Sequence, residues 1–382
     1  MLNKLKKIDW GIFVILLCLM CISVISIHSA IDGQSSNYAN TDVRTVIFYA
    51  VGLLLAVMAT VFDYRVLLKL WHVLYGIGIV LLVLVFFAGS NINGATGWFR
   101  LGALSFQPAE AVKIVIIVGV AYLLGRKQGD KLNFVQDIVP IGAFVFVPFM
   151  LVMIQPDLGN AIIYLVILLG MLWIGNVKYT HVLIGLAAVV AGIVLFVTLF
   201  TVFNENIKDY LTDHDKEHWY ARINTFINPE EASADDKHQS QNAQIAIGSG
   251  GLSGDGYMQG DMKKGGFIPY PYSDSIFVVI GEEFGFTGAA VLLMLYFLLI
   301  YRIIMIAYQC YDRRASYIVI GIASMYVFQI FQNIGMMIGL MPITGITLPF
   351  ISYGGTSLLL NMLCIGIVFS IRAHQEVYEL AD

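Results

Sequence analysis

Ten apolar stretches, each close to the length needed to cross a bilayer, decide most of what this chain can fold into. They occupy residues 10–27, 46–62, 72–88, 111–124, 138–154, 161–174, 182–203, 288–305, 317–337 and 357–371. A helix needs roughly 20 apolar residues to traverse the hydrocarbon core. Inside lipid there is no water to bond the backbone, so a spanning segment must satisfy its own N–H and C=O groups, and uniformly apolar runs do this as α-helices. The sequence therefore predicts an all-α polytopic membrane protein with ten transmembrane helices, a single integral membrane domain over 1–382. With 58% hydrophobic and 13% charged residues it cannot be an ordinary soluble globule. A net charge of −4, without a basic block or an RNA-type aromatic motif, argues against nucleic acid.

Lys4, Lys6 and Lys7 precede the first run, as in a signal peptide. The run is too long for a typical signal core and more spans follow, so it is expected to stay as an uncleaved helix. With the N-terminus in the cytoplasm, Arg65, Lys69, Arg126, Lys127, Lys131, Lys178, Arg302, Arg313, Arg314 and Arg372 join those lysines on the inner side, against Arg44 and Arg100 in the short outer loops. This is a strong positive-inside bias, and an even helix count returns the C-terminus to the cytoplasm. One long extracytoplasmic loop, 204–275, then lies between helices 7 and 8. Cys18, Cys21 and Cys364 sit in apolar runs and Cys310 beside Arg313, so no disulfide framework is readable, and Cys18-x-x-Cys21 reads as packing.

The segment 239–285 is polar and glycine-rich before it re-enters an apolar run. Asp274 stands at that junction, in PYSDSIFVVIGEEFG. A carboxylate partly shielded there suits a base; equally, Ser273 or Asp274 could cap a helix 276–282. Glu282 and Glu283 are expected to be structural. IGSGGLSGDG lacks the Gly-Lys-Ser/Thr of a P-loop and offers either a backbone anion nest or tight chain packing. Glu110 and Lys113 share a helix face in FQPAEAVK and can pair, either in an interior cavity or snorkelled at the interface. Asp157, in IQPDLGN, suits a helix cap or a functional carboxylate equally. Arg222, Lys263 and Lys264 are outer-side cations able to hold a phosphate group, though a lone arginine near aromatics is as often structural. His214 and His218 are four apart, but without an H-E-x-x-H order chance is the better account. The acids of 204–237 read as a solvated surface. PITGITLPFISYGGTS has the composition of a re-entrant or broken helix, which survives only where protein or water covers its backbone.

QPAEAVK, QPDLGNA, AIGSGGLSGDG, IPYPYSDSIFVVIGEEFGF and PITGITLPFISYGGTS, in this order, resemble the SEDS family (RodA, FtsW, SpoVE) from about residue 44 to 371. The short termini and Trp98-Phe99-Arg100 look more like RodA, the elongation member. The resemblance implies a peptidoglycan glycosyltransferase that polymerises lipid II into glycan strands on the outer face of the cytoplasmic membrane, for cell elongation and rod shape. It places the family's essential aspartate on Asp274, its membrane charge pair on Glu110 and Lys113, its QPDLG aspartate on Asp157 and its loop arginine on Arg222. It also implies a class B penicillin-binding protein as partner. The usual PSE is Pro108-Ala109-Glu110 here, and the usual YQxxQS is replaced over 238–243, which puts a serine and a glutamine contact in doubt. A divalent cation, Mg or Mn, would suit the diphosphate leaving group, although no ligand set is visible. A lipid II transporter and a non-catalytic scaffold of the wall-synthesis complex are the competing readings.

Overall fold

The computed structural model describes residues 4, 7–32, 40–92, 95–101, 104–213, 220, 224, 227 and 234–375. In chain order these form α1 (Trp10–Ile31), α2 (Thr41–Val61), the short α3 (Arg65–Lys69) and α4 (Trp71–Ala88). Strands β1 (Ser90–Ile92), β2 (Ala95–Leu101) and β3 (Leu104–Phe106) follow. Then come α5 (Pro108–Gly125), α6 (Val139–Ile154), α7 (Leu158–Ile174), α8 (Tyr179–Val202), α9 (Asn204–Asp213), α10 (Ala234–Ser249), α11 (Asp261–Lys264), α12 (Ile276–Gln309), α13 (Arg313–Met337) and α14 (Gly355–His374). Nine helices among the described residues are long and apolar enough to cross a membrane. The expected all-α polytopic membrane protein is what the chain forms. The remaining expected span falls on α7, whose 17 residues reach about 26 Å at 1.5 Å per residue, short of the roughly 30 Å core.

α5, α13 and α14 are the buried centre of the bundle. α14 packs on α2, and α13 lies against α12, α7 and α5, while α12 also meets α1. Carboxylates start several of these helices. Asp9 accepts from Ile12 N in α1, Asp157 from Asn160 N in α7 and Asp312 from Arg314 N in α13, each satisfying an otherwise orphaned donor. α8 stands apart: it packs on α9 and is exposed almost throughout, with Phe200 buried.

Three features depart from the expectation. The link between α4 and α5 is a small antiparallel sheet, ordered β1-β2-β3, with Ser90 opposite Trp98 and Phe99 opposite Phe106. The segment 239–285 is not irregular throughout, because 239–249 belongs to α10. The expected helix 276–282 and span 288–305 form one element, α12, broken at Gly285 (φ 62°, ψ −160°). A Cβ there would stand 2.4 Å from Gly254 N and 2.7 Å from Gly250 O, so only glycine fits.

Candidate active site

Asp274 sits just before α12, half-buried. Neither it nor Ser273 holds the cap position. That falls on Ser275, whose side chain makes no cap hydrogen bond. The placement of Asp274 comes from α13 instead. Asn333 Nδ2 donates to the Asp274 carbonyl at 2.8 Å and to the Ile346 carbonyl at 2.7 Å. One amide therefore ties the residue to the irregular segment before α14. On that segment Gly345 takes φ +71°, and a Cβ on it would lie 3.8 Å from Asp274 Oδ2. Tyr353 N completes the seam by donating to Tyr272 O at 2.9 Å.

The segment between α13 and α14 is non-helical, as its proline–glycine composition suggested, and its 346–352 part is largely buried. Its carbonyls are met by hydroxyls from surrounding helices: Tyr296 donates to Pro349 O, Tyr49 to Phe350 O, and Ser23 to Ile351 O at 2.7 Å. Ser352 Oγ accepts from Leu348 N at 2.8 Å. Covering by protein is what allows unwound backbone at membrane depth.

The other flank of this segment carries the second group of polar residues. A Cβ on Gly159 of α7 would meet Ile346 Cγ1 at 2.6 Å and Thr344 Cβ at 3.4 Å. Residues 344–346 therefore lie against Gly159 on one side and Asp274 on the other. Two residues before Gly159, Asp157 caps α7 through Asn160 N (3.1 Å), accepts from Asn160 Nδ2 (2.8 Å) and accepts from Gln107 Nε2 (2.6 Å). Capping and a place in the polar site are thus both true of Asp157. Burial pushes its carboxyl above the ordinary range. The Asn160 hydrogen bonds oppose that, the Glu110 charge adds to it and the Lys113 charge reduces it. Lys113 Nζ lies 2.7 Å from Glu110 Oε1, with side chains 1% and 11% exposed, so this is an interior pair and not a snorkelled one. Glu110 is the ammonium's one partner among the described residues, which leaves it further donors to offer. Tyr164 of α7 donates to Ala109 O at 2.8 Å and fixes the start of α5.

Lys263 and Lys264 separate sharply. Lys264 is exposed. Lys263 Nζ is 2.8 Å from Glu283 Oε1, with side chains 1% and 0% exposed, and also reaches Ser29 Oγ (2.7 Å) and Ser29 O (3.1 Å). Ser29 Oγ donates to Glu283 Oε1 at 2.6 Å, and Glu282 accepts from Met262 N, also at 2.6 Å. Lys263 is thereby corrected from a ligand-holding cation to a buried structural one. Glu282 and Glu283 are structural, as expected. The glycine run spends its backbone on the same place. Asp255 N and Gly256 N donate to Glu282 O and Glu283 O, while Phe286 N and Thr287 N donate to Gly251 O and Leu252 O. These bonds close the break in α12 with backbone from the loop, so the run serves tight packing. Arg222, His214 and His218 lie outside the described residues.

Sequence reasoning missed Gln107, Asn333 and Ser29. Asn333 carried a local signal, because Gln329, Gln332 and Asn333 stand together in an apolar span.

The chain matches the model of the FtsW/RodA/SpoVE family, described as cell cycle protein, over residues 7–377. It belongs to that family of multi-pass membrane proteins. It is 32% identical to stage V sporulation protein E of Bacillus subtilis (strain 168), covering 98% of this chain and 99% of that one. It is also 32% identical to the peptidoglycan glycosyltransferase MrdB of Escherichia coli (strain K12), covering 98% of each. Among solved structures, a chain of a peptidoglycan synthase complex superposes with a TM-score of 0.78 at 28% identity, over 97% of this chain and 99% of that one. RodA, the rod shape determining protein of Thermus thermophilus, superposes at 0.69 with 27% identity, over 97% and 98%.

Proposed function

We propose that this peptidoglycan glycosyltransferase polymerises lipid II on the outer face of the cytoplasmic membrane, with both termini inside, and that it serves cell elongation. The observation that carries the proposal is the seating of half-buried Asp274 against residues 344–346, whose other side rests on the helix start capped by Asp157. Joining two lipid-linked disaccharides needs a base within hydrogen-bond reach of the attacking sugar hydroxyl. It also needs cations at the departing polyprenyl diphosphate. Asp274 is the base in this reading, and direct displacement inverts the anomeric centre. Lys113, with donors to spare, faces the diphosphate together with Arg222 and Lys264. Glu110 orients Lys113, and Asp157 holds the two helix starts together through Gln107. Lys263 has no part in the set, since its ammonium is committed to Glu283. Among the described residues no three His, Cys, Asp or Glu side chains gather to hold a metal. A class B penicillin-binding protein is the partner that crosslinks the strands, a reading supported by the likeness to a chain of a peptidoglycan synthase complex.

The test is a gel-resolved lipid II polymerisation assay on purified protein. The Asp274→Asn variant should form no strands while keeping the thermal unfolding midpoint of the parent. Full activity would remove Asp274 from the base role. Movement of lipid II across a reconstituted membrane with no strand formed by the parent protein would favour the transporter reading instead.

A further inference from the structure

The helix ends remote from Asp274 hold three arginines around one five-residue turn. Arg126 opens the link after α5. Arg313 and Arg314 begin α13. The turn 125–129 has glycine at each end, and each glycine makes room for an arginine. A Cβ on Gly125 would fall 2.2 Å from Arg314 Cγ, and one on Gly129 (φ +92°) only 1.1 Å from Arg313 Nη1. The Arg126 and Arg314 guanidinium carbons lie 5.5 Å and 5.3 Å from the centre of the same Tyr122 ring. Trp71 stacks on that ring at 5.3 Å.

None of the three guanidinium groups has a carboxylate within ion-pair distance among the described residues. Of the neighbouring acids, Asp137 pairs with Lys127, Asp312 caps α13 and accepts from Tyr64 OH at 3.0 Å, and Asp130, beside Gly129, is exposed and within ion-pair distance of none of the three arginines. Elsewhere at the same end of the bundle the pattern is the opposite. Asp9 lies between Arg302 and Arg372 and pairs with both. Gathering three like charges without a counter-charge is unfavourable unless an anion completes the set.

We propose that Arg126, Arg313 and Arg314, on the Trp71–Tyr122 aromatic floor, form a binding site for a phosphate ester, supplied by the headgroup of an anionic phospholipid. Guanidinium forks match phosphate oxygens two at a time, and the glycines at 125 and 129 admit Arg314 and Arg313 to the turn that carries Arg126. The aromatic pair has the character of residues that settle at the level of lipid headgroups. The site lies at the bundle end opposite Asp274 and does not depend on the reading of the chemistry.

The experiment uses the full-length protein in detergent, given phosphatidylglycerol or phosphatidylcholine, with bound lipid counted by native mass spectrometry. Retention of phosphatidylglycerol over phosphatidylcholine is expected. Each of Arg126→Gln, Arg313→Gln and Arg314→Gln should weaken it by about fivefold, and the triple variant should abolish it. A control of equal charge loss, Arg65→Gln with Lys69→Gln and Lys178→Gln, should leave it unchanged. Inorganic phosphate alone separates the sources. Failure to displace the lipid assigns the site to a headgroup, whereas binding of inorganic phosphate without lipid selectivity would overturn the headgroup assignment in favour of a soluble ester. If the triple variant does not fold, the single variants carry the test. No selectivity and no phosphate binding, or equal loss in the control, would overturn the proposal.

Discussion

α8 and α13 have nearly the same length, 24 and 25 residues, and both qualify as spans, yet they meet opposite surroundings. α8 is the more apolar and is almost wholly exposed. α13 is the least apolar of the long helices and two-thirds buried. In a bilayer this is the expected inversion. Lipid already satisfies apolar side chains, so contact with protein selects small and polar ones. Two threonines of α8 bond back to their own helix, Thr198 to Val194 O and Thr201 to Val197 O. The amides of α13 reach outward. Gln332 donates to Pro342 O and Thr344 Oγ1, and Asn333 to Asp274 O and Ile346 O. The proposed site sits where the spanning helix carries polar groups.

The largest effects should therefore fall where α13 meets the site. Asp274→Asn keeps size and tether but removes the proposed base. Its strand-forming rate should fall by about 10² to 10⁴, measured on gels under single-turnover conditions. Asn333→Leu keeps the Asp274 carboxylate and removes the amide's hydrogen bonds to Asp274 O and Ile346 O. A catalytic group displaced by about 1 Å can lose about 10²-fold, and that loss should appear in the rate constant more than in the substrate concentration needed for half-maximal rate. An Asn333→Leu enzyme with unchanged turnover would detach α13 from the chemistry and leave the contrast with α8 purely structural.

Next in size is the buried ionic cluster that grips the far end of the half-helix behind Asp274. Lys263→Met strands the Glu283 carboxylate in a fully enclosed place. Removing one partner of a buried pair costs about 3–5 kcal/mol, which would lower the thermal midpoint in detergent. Lys264→Met, one residue on and exposed, should leave the midpoint in place. The two lysines thus repeat within the loop the distinction between α13 and α8.

That pair also marks how far the sequence could be read. The spans were legible because apolar runs have one solution in lipid, and Asp274 and the Glu110–Lys113 pair were legible because charge beside such runs demands a reason. Lys263 and Lys264 look alike in sequence. Only the fold assigns one to Glu283 and to Ser29, which lies at the other end of the chain. The break at Gly285 was hidden for a similar reason, since its cause is the approach of Gly250 and Gly254 from a separate loop. The β1–β3 sheet was hidden because strands of three to seven residues carry little periodicity. Long-range partners, not local propensity, decide the first two.

The finest discrimination comes from glycines placed alike in the two helices. A Cβ at Gly321 of α13 would press on Met171 Sδ at 2.8 Å and Ile117 Cγ2 at 2.9 Å, whereas at Gly185 and Gly192 of α8 nothing lies within 4 Å. Gly321→Ala should overpack the bundle and cost about 1–3 kcal/mol. Gly192→Ala meets open space and gains helix propensity, so it should stabilise by about 0.5–1 kcal/mol. Thermal unfolding of the two variants, measured in the same detergent, should move the midpoint in opposite directions. A loss at Gly192 equal to that at Gly321 would mean that α8 is packed against protein, and the inversion between the two helices would not hold.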